Sequence, residues 1–175
     1  MRIPITILVF ASLMVAALAE APKPRIGVYD SRAIAVAFLN SPAYKASDGK
    51  KLAEVMAELG KAKAAGDRKQ VAELEAWGKA QQALLHQQGF STAPVDGMLE
   101  HIKGQMPGIA KAAGVEAIVS KWDKRALAER KSAELVDVTM ALVDAFHPTE
   151  RQRRFAVEVQ TRDPISLEQA GSLDD

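Results

Sequence analysis

Residues 113–122, AGVEAIVSKW, are a short run of strand-forming side chains in a chain otherwise dominated by Ala, Leu, Lys and Glu. Valine and isoleucine suit a pleated, half-buried surface, and the glycine at 114 ends the helical pattern before it. A similar run occurs far earlier, PRIGVYDSR at 24–32. A two-stranded ribbon alone is marginal in water, so these strands need support from helices or from other chains. Pairing them makes Gly114 the return point of a long helical excursion. It also requires Ile118 to be buried against the strand around Ile26 to Tyr29.

The material between the runs reads as helix. SRAIAVAFLNSPAY (31–44) is apolar, helical or looped, and ends at Ser41-Pro42, where proline disfavours helix in the preceding residue and can begin the next one. From Tyr44, Leu52, Val55, Met56 and Leu59 recur at helical spacing among Lys50, Lys51, Glu54 and Glu58. This arm ends near Gly66, and Asp67 is the natural N-cap of the next. Val71, Leu74, Trp77, Leu84 and Leu85 then mark the stripe of a second arm. Two such arms across a tight turn predict an antiparallel helical hairpin over about 44–89, each arm roughly 30 Å long at about 1.5 Å per residue.

GFSTAPVDG (89–97) breaks the second arm, and a third helix is expected over 95–112, bent by Gly104 and Pro107. Beyond the second strand, residues 126–135 read as helix or as a loop leading to a further strand at ELVDV (134–138). Thr139 is the expected N-cap of MALVDAF, closed by Pro148. The tail, about 147–175, opens with a capping-box pattern, Thr149 to Gln152, and is expected to fray after Pro164. The fold class expected is α+β, mostly α: a small β body with a projecting hairpin.

Composition bounds the location. Residues 1–19 hold Arg2, an apolar run and Ala17-Leu18-Ala19, the pattern of a secretory signal peptide. Residues 20–175 are then expected as a single domain. The chain has 23 basic and 22 acidic residues and no cysteine. Losing Arg2 with the leader brings the balance to zero, which argues against a nucleic-acid partner. Disulfides and thiolate metal sites are excluded outright.

The order of these parts resembles the Skp/OmpH family of periplasmic chaperones. RIGVYDSRAI matches its first strand, IAKAAGVEAIVSK its returning helix and second strand, and VDVTMALVDAF its closing strand-to-helix step with an Asp-x-Thr start. The resemblance covers most of residues 25–146, with arms shorter than the family's. It implies a periplasmic, ATP-independent holdase or envelope assembly factor for unfolded or outer-membrane proteins. It further implies a homotrimer whose small sheets join around one axis. The strand core, and with it the oligomer interface, is then expected at Ile26, Val28, Val115, Ile118 and Val119. A different class of function is an envelope adaptor that binds one protein partner through the hairpin.

Client or membrane contacts are expected at the hairpin tip and on the second arm. Lys61, Lys63, Arg68 and Lys69 surround a turn in which Asp67 is the only acid, a basic tip able to touch anionic lipid surfaces or acidic clients. Leu74 and Trp77 supply an apolar inner face, with packing between the arms as the plainer use. Trp122 is expected in the core or at a subunit interface.

His86, His101 and His147 fall in no zinc-binding spacing. Asp96, Glu100 and His101 are the nearest thing to an acid-base cluster, and no nucleophile elbow or phosphate-cradling glycine loop exists. No enzyme activity and no cofactor are expected. RQRRF (151–155) reads as a solvated helix face.

Overall fold

The opening run forms a strand at the edge of a three-stranded sheet in the computed structural model, which describes residues 23–39 and 41–173. The expected signal peptide, 1–19, lies outside the described residues. Strands β1 (Arg25–Tyr29), β2 (Ala117–Ser120) and β3 (Glu134–Asp137) lie in the order β2-β1-β3, all parallel. Gly27 is in register with Ile118 on one side and Val136 on the other. Parallel neighbours need long crossovers, which is why so much helix separates β1 from β2. The further strand read at ELVDV is therefore present, and β1 is a central strand.

Ile118 stands in register with Gly27 of β1 and packs on the core, as the opening run required, but it is half-buried where burial was expected. Ile26 and Val115 are buried; Val28 and Val119 are half-buried. Alternation along the strands puts Tyr29, Ile118 and Val136 on the face that meets the main core. Ile26, Val28, Val119 and Leu135 fall on the opposite face, where Leu135 is more than half exposed.

Gly27 and Gly114 are two positions where a side chain would be crowded or strained. A Cβ on Gly27 would stand 3.1 Å from both Ile118 Cγ1 and Val138 Cγ2, so the sheet and the chain after β3 close directly over bare backbone. Gly114 has φ of +63° and caps the preceding helix, and its amide donates to the Lys111 carbonyl. That left-handed turn costs a non-glycine residue about 1–2 kcal/mol, and it aims the chain into β2.

The helices fill in around one buried element. Helix α1 (Ser31–Leu39) has Ala33, Ile34, Ala35 and Phe38 essentially without solvent exposure. The short α2 (Pro42–Ala46) follows, with the Ser41 hydroxyl accepting from the Tyr44 amide. Helices α3 (Asp48–Ala65) and α4 (Arg68–Phe90) are joined by the Gly66-Asp67 turn and pack on each other. Asp67 caps α4 by accepting from the Gln70 amide, as read from the sequence. The first arm is thus two helices: its break falls at Ser47, whose hydroxyl donates back to the Ala43 carbonyl.

The expected bent helix over 95–112 is instead three pieces: α5 (Asp96–Leu99), a 3-10 turn (Glu100–Ile102) and α6 (Met106–Ala113). Pro107 sits in the first turn of α6, where a missing N–H costs nothing, so it starts a helix where a kink was expected. After β2 comes α7 (Lys124–Ala128), capped by Asp123, and after β3 comes α8 (Thr139–Asp144). Thr139 is not the N-cap but the first helical residue. Its hydroxyl accepts from the Asp30 amide, while its own amide donates to Asp137 Oδ1.

The tail is part of the body. Helix α9 (Glu150–Gln160) opens with the expected Thr149–Gln152 capping box and packs on α1 through Ala156, which has no exposed surface. RQRRF is therefore not simply a solvated face: the helix that carries it docks through the small residue just beyond. Nor does the chain fray after Pro164. The Ile165 amide donates to the Phe90 carbonyl, Ser91 Oγ donates to the Ile165 carbonyl at 2.6 Å, and α10 (Leu167–Gly171) lies on α4 with Ala170 buried.

Candidate functional site

An open groove of about 970 Å³ runs between the α3/α4 pair and the body. Val36 and Leu39 of α1 form its floor. Leu52 and Met56 of α3 and Leu85 and Phe90 of α4 form one wall, and Phe155 and Val159 of α9 the other, with Leu173 at one end. Met56 is 57% exposed, Phe90 51% and Phe155 46%. Lone exposed apolar residues are ordinary, but a contiguous set in a concave groove marks a surface built for contact. Methionine and small residues such as Gly78 and Gly89 along it leave room for varied side chains.

The residues singled out in sequence divide between this groove and its surroundings. Leu74 and Trp77 are half-buried and do not line it. Trp77 sits at the α3/α4 seam with Lys51 Nζ 5.6 Å above its ring, which makes interhelix packing its use here. The tip cations are all exposed. Two of them are held by carboxylates of α4, Lys63 to Glu75 at 2.9 Å and Lys69 to Glu73 at 3.9 Å, while Lys61 and Arg68 face solvent. The basic tip is thus partly neutralised by its own helix.

The Asp96, Glu100 and His101 cluster does not assemble. His101 stacks on Phe38 with ring centroids 5.0 Å apart, and Glu100 is paired with Lys103 at 2.9 Å.

The most concentrated electrostatics lie at the end of β1, linked to the groove through Arg162. Asp30, directly after β1, is wholly buried. Its Oδ1 accepts from the Arg32 amide and Arg32 Nε, both at 3.0 Å, and its Oδ2 accepts from Arg32 Nη2 and Lys121 Nζ, both at 2.7 Å. Arg32, itself buried, also donates from Nη1 to the Arg162 carbonyl at 2.8 Å. Burial alone would raise the Asp30 carboxyl, but the hydrogen bonds and charges of Arg32 and Lys121 outweigh it and hold the carboxyl below its ordinary range. Trp122 packs beside both cations, with Lys121 Nζ 4.6 Å and Arg32 Cζ 5.3 Å from its ring. This network ties the end of β1, α1, the residue after β2 and the turn after α9 into one unit. It sets the distance between the floor of the groove and its α9 wall.

Sequence reasoning missed both α9 and Leu173 as parts of the site. Phe155 and Val159, four residues apart, carried the available signal, since that spacing places them on one helix face.

Comparison with known protein families, with curated sequences and with solved structures finds no match to this chain.

Proposed function

We propose that this chain is a non-enzymatic binding protein of the bacterial envelope, an ATP-independent holdase that engages apolar segments of unfolded or outer-membrane proteins. The observation that carries the reading is the apolar groove with Leu52, Met56, Phe90 and Phe155 open to solvent. An adaptable surface of this kind holds many sequences weakly, through apolar burial at about 25 cal/mol per Å², and needs no nucleotide. The α3/α4 pair serves as a short antiparallel hairpin projecting from a Skp-like β body. Its exposed Lys61 and Arg68 add attraction to acidic clients or to an anionic membrane surface.

The sheet supports the oligomeric part of the proposal. β2 and β3 are edge strands, and Ile26, Val28, Val119 and Leu135 share the face turned away from the main core. Further copies of the chain, three by family resemblance, would cover that face and its edges.

A second reading, an adaptor for one envelope protein, draws on the shape of the groove. Walled on both sides by the chain's own helices, it suits a single amphipathic helix laid along it. Light scattering on the purified chain, followed by suppression of aggregation of several unfolded outer-membrane proteins, separates the readings. A trimer that protects several clients at stoichiometric amounts, and loses protection in Met56→Ser and Phe90→Ser, supports the holdase. A monomer without protective activity overturns it in favour of the adaptor.

A further inference from the structure

A second cavity, of about 350 Å³ and sharing no lining residue with the groove, lies at the carboxyl ends of β1 and β2. Tyr29 and Ser31 reach it from β1 and the start of α1, Trp122 and Asp123 from beyond β2, Thr92 from the loop after α4 and Asp96 from the start of α5. In open α/β sheets, ligand crevices lie outside the carboxyl ends of the strands. The volume is at the small end of known ligand clefts, about 300–1,000 Å³.

The wall carries unmet hydrogen-bonding capacity. Ser31 Oγ and Trp122 Nε1 are both buried and have no hydrogen-bond partner among the described residues. Leaving such groups unpaired is unfavourable, and both are able to donate. Ser31 lines the cavity and is itself 1% exposed.

Charge narrows the occupant. Asp96 and Asp123 stand exposed at the cavity, and among the described residues only one oxygen of Asp123 is taken, by the Ala126 amide. The neighbouring cations, Arg32 and Lys121, are committed to Asp30. The Tyr29 hydroxyl feels the excess of negative charge: its pKa is pushed up to about 12, by burial first and then by the charges of Asp96 and Asp123. An anion would be repelled here, and a purely apolar ligand would leave the donors unmet.

We propose that this cavity binds a small hydroxylated amine, its ammonium held between Asp96 and Asp123 and a hydroxyl oxygen accepting from Trp122 Nε1–H and the Ser31 hydroxyl. Amino sugars and the amino-alcohol headgroups of lipids share this chemistry.

The chain's two tryptophans allow a direct test, because Trp77→Phe leaves Trp122 as sole reporter. Glucosamine, ethanolamine and glucose are titrated against that variant, following Trp122 fluorescence, with calorimetry on the unaltered chain. The expected result is saturable binding of an amine at about 1 mM or tighter, at least about tenfold stronger than glucose. Preference for glucosamine indicates a sugar and preference for ethanolamine a headgroup. Asp96→Asn and Asp123→Asn should each weaken amine binding several-fold with the helical circular dichroism unchanged, since asparagine at 123 still caps α7. Absence of saturable amine binding, equal binding of glucose, or an unchanged affinity in the folded double variant would overturn the proposal. Met56→Ser should leave amine binding intact, which separates this site from the groove.

Discussion

Replacing Asp30 by Asn removes one negative charge from a site where two cations converge. The asparagine matches the shape, but its amide must point an N–H₂ at Arg32 or Lys121, which are themselves donors. Lys121 is one-third exposed and can return to water, whereas Arg32, at 2%, cannot. The variant therefore leaves one guanidinium buried without its counter-charge, the case in which breaking a buried pair costs about 3–5 kcal/mol. That is a large share of the about 5–15 kcal/mol by which domains are stable.

Urea unfolding at pH 7, followed by far-ultraviolet circular dichroism, measures the loss. Removing the stranded cation as well should recover part of it, so Asp30→Asn with Arg32→Met should be more stable than Asp30→Asn alone. The pH dependence has a definite sign. Because the folded-state pKa of Asp30 is lowered, its contribution is fully present above the unfolded value of about 3.9 and is lost as pH falls through the lower folded value. The gap between the natural chain and Asp30→Asn should accordingly narrow below about pH 4. A loss under about 1 kcal/mol at pH 7, the worth of an ordinary hydrogen bond, or a gap that widens in acid, would refute the account of this network as the joint of the body.

Three other substitutions probe the frame. Gly27→Ala forces a methyl against Ile118, Val138 and Val115 at 3.1–3.2 Å and should cost about 1–3 kcal/mol by overpacking, read from the urea midpoint at constant slope. Gly60 and Gly114 should respond with opposite signs. Alanine at 60, in the middle of α3 with nothing within 4 Å, should stabilise by about 0.5–1 kcal/mol, whereas alanine at 114, at φ of +63°, should destabilise by about 1–2 kcal/mol in the same assay. Ending the chain after Arg162 removes the Ile165 bonds and the α10 contact on α4. It should lower the thermal midpoint, and hydrogen exchange should show the loss of protection concentrated in the last turns of α4.

What the sequence disclosed and what it hid follow from the range of the forces involved. The turn at Gly66-Asp67, the stop at Gly114 and the Thr149–Gln152 capping box are set by neighbours a few residues apart, and each stands where the residues place it. The strand at ELVDV was ambiguous because four residues flanked by loop carry no period, and it resolves only through pairing with β1 more than a hundred residues away. Asp30, Arg32 and Lys121 are three ordinary charges in sequence. Nothing in their spacing announces that Lys121, just past β2, meets Asp30, or that Trp122 packs beside the pair.

The groove was hidden for a related reason, and its concealment bears on function. Leu74 and Trp77 were candidates for the contact surface, with packing between the arms the plainer use, and it is the α3/α4 seam that takes Trp77. The surface left open lies nearer the body, where Gly78, Gln81, Gln82 and Gly89 are too small or too polar to draw α4 down onto Leu52 and Met56. A stripe interrupted in this way is a poor interhelix interface and a good groove. Restoring the stripe should close it. Gln81→Leu with Gly78→Ala is expected to raise the thermal midpoint by a few degrees, as gains of about 1 kcal/mol do in domains of this size, and to diminish protection of unfolded clients in the same protein. A variant that gained stability and kept full protective activity would mean that clients are held elsewhere, and the interrupted stripe would then be only an imperfection of packing.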